Sequence, residues 1–326
     1  MTKRLVGLVL MLAWAACLAA APLSVAEIDR LYKVDQVVKA NIAQMEKAAE
    51  MGSSFYAYQK EYEAAVPGRP QGPVTVKAVA QAVAGARFVF QGDDHAMDQS
   101  QSNTLDLIEF MTAGQGPVTL VLEWIDESYQ ADVDAYLRGE TALTTLRTKT
   151  QFTKLWGFSW KSYSRILEAA KRKRLRVLLV ENLKKKASLT ARDDRITAKV
   201  AADRAAHPEQ RYLIVYGEYH VLGAAHLSAK LATKGLTPQV VFISAEASYW
   251  QVLRMVKDPD RVGYAALAPG LFYLRNGSPL EQHLAYRKYL MKLLGWTKSR
   301  FPTWVDDAEA QPRASSTFDR VHTPTR

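Results

Sequence analysis

The 326-residue sequence has one cysteine, Cys17. That excludes an intrachain disulfide framework and leaves no thiol for chemistry beyond residue 17. It also lacks a G-x-S-x-G segment, so no serine elbow is available and any hydrolysis would use water directly. No apolar run approaches the ~20 residues that a membrane-spanning helix requires. Collagen-like, coiled-coil and low-complexity patterns are missing as well. The 48% apolar and 23% charged residues are the balance of a folded globular chain, long enough for two domains or for one decorated α/β domain.

The chain opens with Lys3-Arg4, an apolar run over residues 5–16 and small residues up to Ala26, which is the order of an export signal over residues 1–26. Cleavage after Ser24-Val25-Ala26 would release a soluble product. The alternative is a lipid anchor at Cys17, since Ala15-Ala16-Cys17 resembles a lipoprotein box. Either route places the protein in the periplasm or the outer-membrane-associated envelope. The formal charge of +10 would suit nucleic acid, anionic membrane or acidic small molecules. Export removes nucleic acid from that list and limits membrane contact to the Cys17 anchor. The basic runs Lys171-Arg172-Lys173-Arg174 and Lys184-Lys185-Lys186 then read as solvated helix ends.

Residues 27–73 form a helical leader, with Leu31, Val34, Val37, Val38, Ile42 and Met45 at a spacing near 3.6. A Pro/Gly cluster at 67–73 separates it from an α/β domain over 74–300, and the polar segment 301–326 reads as a disordered tail. Inside the domain, apolar runs at 87–90, 118–122, 177–180, 212–216 and 240–243 alternate with helical patterns. This is the signature of an open, mostly parallel sheet buried on both faces. Segments 264–266 and 271–274 read as edge strands, and 280–294 as a closing helix.

Open α/β sheets bind ligands at the carboxyl ends of their strands. There the sequence places Gly92-Asp93-Asp94-His95, Glu123-Trp124, Glu181-Asn182, Gly217-Glu218-Tyr219-His220 and Glu246. The first and fourth share apolar strand, glycine, acid, any residue and histidine. Imidazole with carboxylate is a ligand set for iron, zinc or manganese, and equally a water-activating base held by an acid. A lone strand-end histidine is more often a hydrogen-bonded structural residue. The repeated form points to a shared site, with Glu218, His220 and His95 as candidate metal ligands. Glu123 could instead cap the following helix, Glu181 and Asn182 could be turn formers, and His226 reads as packing.

These segments, with Leu122-Glu123, Asn182, Arg192-Asp193 and Ala225-His226-Leu227, resemble the ChaN-like haem-binding lipoproteins, of the superfamily that includes Tiki, TraB and erythromycin esterases. The resemblance covers residues 87–294 and departs at the first motif, where Asp93 stands in place of the family's glutamate. It implies an exported haem- or iron-binding protein of an envelope uptake system. Asp93, His95, Glu123, Asn182, Glu218, Tyr219 and His220 would line the haem site. The alternative it implies is a hydrolase, with or without a divalent metal, using His95 and Glu123. With its full-length acid, the second motif is expected to dominate ligand binding, the first to support it, and glutamate to be accepted at position 93.

Overall fold

The computed structural model describes residues 22–296. The elements run α1 (Val25–Ala48), α2 (Ser53–Ala65), β1 (Gly72–Val74), α3 (Val76–Gly85), β2 (Phe88–Asp93), α4 (Asp98–Ala113), β3 (Val118–Asp126), α5 (Gln130–Arg138), α6 (Leu143–Lys149), α7 (Phe152–Leu155), α8 (Trp160–Arg172), β4 (Arg176–Glu181), α9 (Leu189–Ala206), β5 (Arg211–Gly217), α10 (Leu227–Thr233), β6 (Val240–Ile243), α11 (Glu246–Val256), β7 (Tyr264–Ala268), β8 (Leu271–Leu274) and α12 (Pro279–Leu294). The expected tail and most of the export leader lie outside the described residues.

The strands form one eight-stranded sheet in the order β1-β7-β8-β6-β2-β5-β3-β4. From β8 to β4 neighbours are parallel; β7 and β1 are added antiparallel. The class is the expected α/β sheet, with one correction. Segments 264–266 and 271–274 are interior strands, because Gly72–Val74, within the Pro/Gly cluster, caps that side. Proline is tolerated there because an edge strand has backbone N–H positions that need no ladder partner.

Alternation along the strands divides the core. Val89, Leu213 and Val215 face one layer with Val83, Leu107 and Ile166, whereas Phe88, Phe90, Ile214 and Tyr216 face the other with Ile196, Leu227 and Trp250. A small third core joins α1 to α12 through Val38, Ile42, Met45 and Leu290. Ser24 caps α1, its hydroxyl accepting from Glu27 N at 3.2 Å while the Glu27 carboxylate accepts from Ser24 N at 2.8 Å. Leu23 N donates to Lys257 O at 2.7 Å, tying the start of this helix to the end of α11. Among the described residues no helix is long and apolar enough to cross a membrane.

Candidate functional site

Strands β2 and β5 lie side by side at the centre of the sheet, so the two motifs leave it as neighbours. Asp93 is the last residue of β2, and four donors converge on its buried carboxylate. Ser100 Oγ and Gln101 Nε2 each donate to Oδ1 at 2.7 Å, Tyr163 OH donates to Oδ2 at 2.7 Å, and His95 Nδ1 lies 2.9 Å from Oδ2. Burial alone would raise its pKa, but the hydrogen bonds from His95, Tyr163 and Ser100 outweigh burial and hold it below the usual range. A carboxylate only accepts, so His95 Nδ1 carries the hydrogen and Nε2 is left facing the crevice, 3.7 Å from Glu123 Oε2. Burial depresses the His95 pKa, yet the charges of Glu123 and Asp93 more than reverse this and raise it. The Asp94 carboxylate accepts only from Ala96 N, at 3.3 Å, among the described residues. Burial, then the charge of Asp93, pushes it up to about 6.

The second motif is held from the N-terminal helices. Tyr58 of α2 donates its hydroxyl to Asp193 Oδ2, and that hydroxyl lies 2.9 Å from His220 Nδ1, which in turn meets Asp193 Oδ1 at 2.5 Å. Tyr62, one helical turn on, donates to Glu218 Oε1, which also accepts from Ser244 N at 2.7 Å. Glu218 Oε2 is buried and has no hydrogen-bond partner among the described residues. Burial pushes Glu218 up to about 7, its bond from Tyr62 offsetting only part of that cost.

Between the motifs, Arg192 at the start of α9 ties three strands together. It donates Nη2 to Glu123 Oε1 at 2.7 Å and to Tyr216 OH at 3.0 Å, and Nε to Glu181 Oε2 at 2.9 Å. Glu123 Oε2 accepts from Gly217 N at 2.7 Å, so both of its oxygens are engaged. It lies inside β3 rather than after it, and is no helix cap. Glu181 also accepts from Arg195 and Tyr216, and Asn182 reaches Glu127 at 3.3 Å.

A cavity of about 1210 Å³ opens over these strand ends. Its floor includes Asp93, Asp94, His95, Glu123, Asn182, Gly217, Glu218, Tyr219 and His220, which brings the expected site residues to one space. Its roof comes from α1, α2 and α12. One wall is aromatic beside His95, with Trp156 4.6 Å and Phe158 5.4 Å from the imidazole and Tyr289 stacked on Phe158 at 4.5 Å. A second aromatic group, Phe55, Tyr62 and Tyr219, also lines the cavity. The imidazoles differ in access: the His95 side chain is 26% exposed and that of His220 only 7%.

Among the described residues no three His, Cys, Asp or Glu side chains gather into a group that could hold a metal. His95 is drawn to Asp93, His220 to Asp193, and Glu218 to Tyr62 and Ser244. His226 is packing, though as the residue before α10 rather than within a helix; it stacks on Tyr58 at 3.8 Å and meets Tyr219 O at 2.8 Å. Glu246 opens α11 and pairs with Lys39 at 2.6 Å at the far end of the cavity. Sequence reading missed Tyr58, Tyr62 and Tyr163. Tyr58 and Tyr62 had one available signal, their spacing of four on a mostly polar helix, and Tyr163 had none.

Residues 79–187, about a third of the chain, match the family model described as haem-binding uptake, Tiki superfamily, ChaN. No curated protein sequence matches the chain. Solved structures similar to it include the type III effector HopBA1, 15% identical, TM-score 0.41, covering 66% of this chain and 98% of that one. Another is ChaN of Campylobacter jejuni with cofacially bound haem, 12% identical, TM-score 0.40, covering 52% of this chain and 86% of that one. A third is the C-terminal region of Pasteurella multocida toxin, with a thiol-protease-like triad, 10% identical, TM-score 0.34, covering 45% and 21%. The family whose model this chain matches, ChaN-type haem-binding uptake proteins of the Tiki superfamily, is the one its strand-end motifs resemble.

Proposed function

We propose that the cavity over the strand ends binds haem, as cargo handled outside the cytoplasm for an envelope uptake system. The observation that carries this reading is an aromatic-walled space of about 1210 Å³ with an oriented, accessible imidazole in it. Most small-ligand pockets measure ~300–1,000 Å³. Haem requires apolar flanks, an axial donor and cations for its two carboxylates. Trp156, Phe158 and Tyr289 with Phe55, Tyr62 and Tyr219 supply the apolar lining. His95 supplies the donor, because Asp93 fixes its Nδ1 hydrogen and leaves the Nε2 lone pair for iron, an arrangement that also raises ligand basicity. His220, more deeply buried and held by Asp193 and Tyr58, supports the floor. This division of labour reverses the one expected from the motifs alone.

Export and an anchor at Cys17 extend the proposal. Lys3-Arg4 and the apolar run behind it support them, and uptake partners in the envelope follow from the same reading. Titration with hemin, followed at the Soret band, is the test. The parent should bind stoichiometrically, His95→Ala should weaken binding by well over the ~10–100-fold typical of an outer-shell loss, and His220→Ala should fall within that range. A parent that leaves the Soret band unmoved overturns the reading.

A second reading is favoured by the Asp93–His95 pair itself, which is also the arrangement of a general base acting on water. Glu123 would then orient rather than react, since Arg192 and Gly217 occupy both its oxygens. Ester or amide turnover abolished by His95→Ala, with no Soret response, would select it.

A further inference from the structure

The run Lys184-Lys185-Lys186 is split by the fold. Lys184 turns away from the cavity: its Nζ donates to Ser128 Oγ at 2.7 Å, lies 3.5 Å from Asp126 and sits 4.2 Å over the Tyr129 ring. Its backbone N is also tethered, to Asp126 Oδ2 at 3.3 Å. With that residue fixed outward, Lys185 and Lys186 are exposed on the loop after β4, and both line the cavity mouth. Neither has an ion pair or side-chain hydrogen bond among the described residues.

The other cations at the cavity are already matched. Arg192 holds Glu123 and Glu181, Lys39 holds Glu246, and Arg254 faces Asp29 at 3.3 Å and the Tyr32 ring. Among the described residues, the unpaired positive charge lining the cavity is therefore these two lysines, on the loop after β4.

We propose that Lys185 and Lys186 form the carboxylate clamp of the cavity and select a tetrapyrrole that carries free propionates over its uncharged ester. This rests on the haem reading for the identity of the ring, but the recognition it describes is of the paired carboxylates and needs no iron. Solvent-exposed ion pairs each contribute up to ~1 kcal/mol, so two of them correspond to at most about 30-fold in affinity, and reversing both charges adds repulsion to their loss. Screening by salt should erode that factor.

The experiment compares the parent, Lys185→Glu/Lys186→Glu and the control Lys77→Glu/Lys234→Glu. The control makes the same charge change at exposed residues outside the cavity lining. Each is titrated with hemin at the Soret band and with iron-free protoporphyrin IX by fluorescence, and the parent is also titrated with protoporphyrin dimethyl ester. The clamp variant should bind protoporphyrin IX about 10- to 30-fold more weakly than the parent, and the control within about 2-fold of it. The parent should bind the ester more weakly than the free acid by a factor that 0.5 M salt reduces. Where hemin is bound, its Soret position should be unchanged in the clamp variant, because axial ligation is untouched. Equal affinity of parent and clamp variant for the free acid, equal affinity of the parent for acid and ester, or failure of the parent to bind protoporphyrin IX overturns the clamp. A parent that binds protoporphyrin IX through these lysines but leaves the hemin Soret band unmoved keeps the clamp and removes the iron-ligating reading.

Discussion

The two strand-end motifs are near copies in sequence and unlike in structure. Asp93 of the first meets four donors; Glu218 of the second meets two on one oxygen and leaves the other bare. The cause is register. Asp93, the last residue of β2, stands opposite Gly217, the last of β5, so its counterpart Glu218 falls one residue beyond the strand, in the turn that follows. The first acid therefore points into the layer that holds Tyr163 and α4, the second toward Tyr62 and the N-terminal helices. A repeated motif on neighbouring parallel strands need not make a symmetric site, because a slip of one residue sends corresponding acids to opposite layers.

Three substitutions probe that asymmetry. The largest effect is expected at Gly92, which pairs with Tyr216 and so lies beneath the second acid. A Cβ there would meet Glu218 Oε2 at 2.5 Å and its Cα at 3.2 Å. Gly92→Ala should cost about 3 kcal/mol in urea denaturation by overpacking, and part of that loss should return in Gly92→Ala/Glu218→Ala. Full additivity of the two substitutions would show that the motifs do not meet there.

Next is Asp93→Glu, which the motif comparison alone expects to be accepted. An added methylene pushes the carboxylate into Ser100, Gln101 and Tyr163, and a loss of about 2 kcal/mol with weaker hemin binding is expected. Stability and binding equal to the parent would mean that the first motif accepts either acid and that the asymmetry is confined to the second.

The smallest effect is a pH slope. Burial pushes Glu218 up to about 7 from its ordinary 4.5, so between these values the folded state binds more protons than the unfolded one. Its contribution to stability therefore declines as pH rises through that window. Glu218→Gln should remove about 1 kcal/mol of that decline, allowing for partial exposure. Parallel parent and variant curves from pH 4.5 to 7.5 would show an ordinary carboxylate.

Much of the sheet was legible because fully buried parallel strands leave continuous apolar runs, as in Val118-Thr119-Leu120-Val121-Leu122. The strand Gly72–Val74 was not, since three residues containing Pro73 make no run. The order of the antiparallel side depended on it. At the site, strand-end acids and histidines stand out from apolar surroundings. Their partners Tyr58, Tyr62 and Tyr163 do not, because a tyrosine on a helix looks the same whether its ring merely packs or its hydroxyl holds a carboxylate. Asp193 was visible only beside Arg192. Which imidazole is open to ligand depends on tertiary burial, which no local pattern encodes.

Under the export proposal, the cap on the first helix would bear on maturation. A protease cutting after Ala26 would start the chain at Glu27, discarding Ser24 as an acceptor together with the Leu23 tie to Lys257. It would also place a new ammonium group at the positive pole of the helix. A cut ahead of Cys17 keeps all of these contacts. Tyr32, Gln36 and Lys39 of that helix form part of the cavity roof, so under the export proposal the choice of cleavage site would also set how firmly the roof is seated.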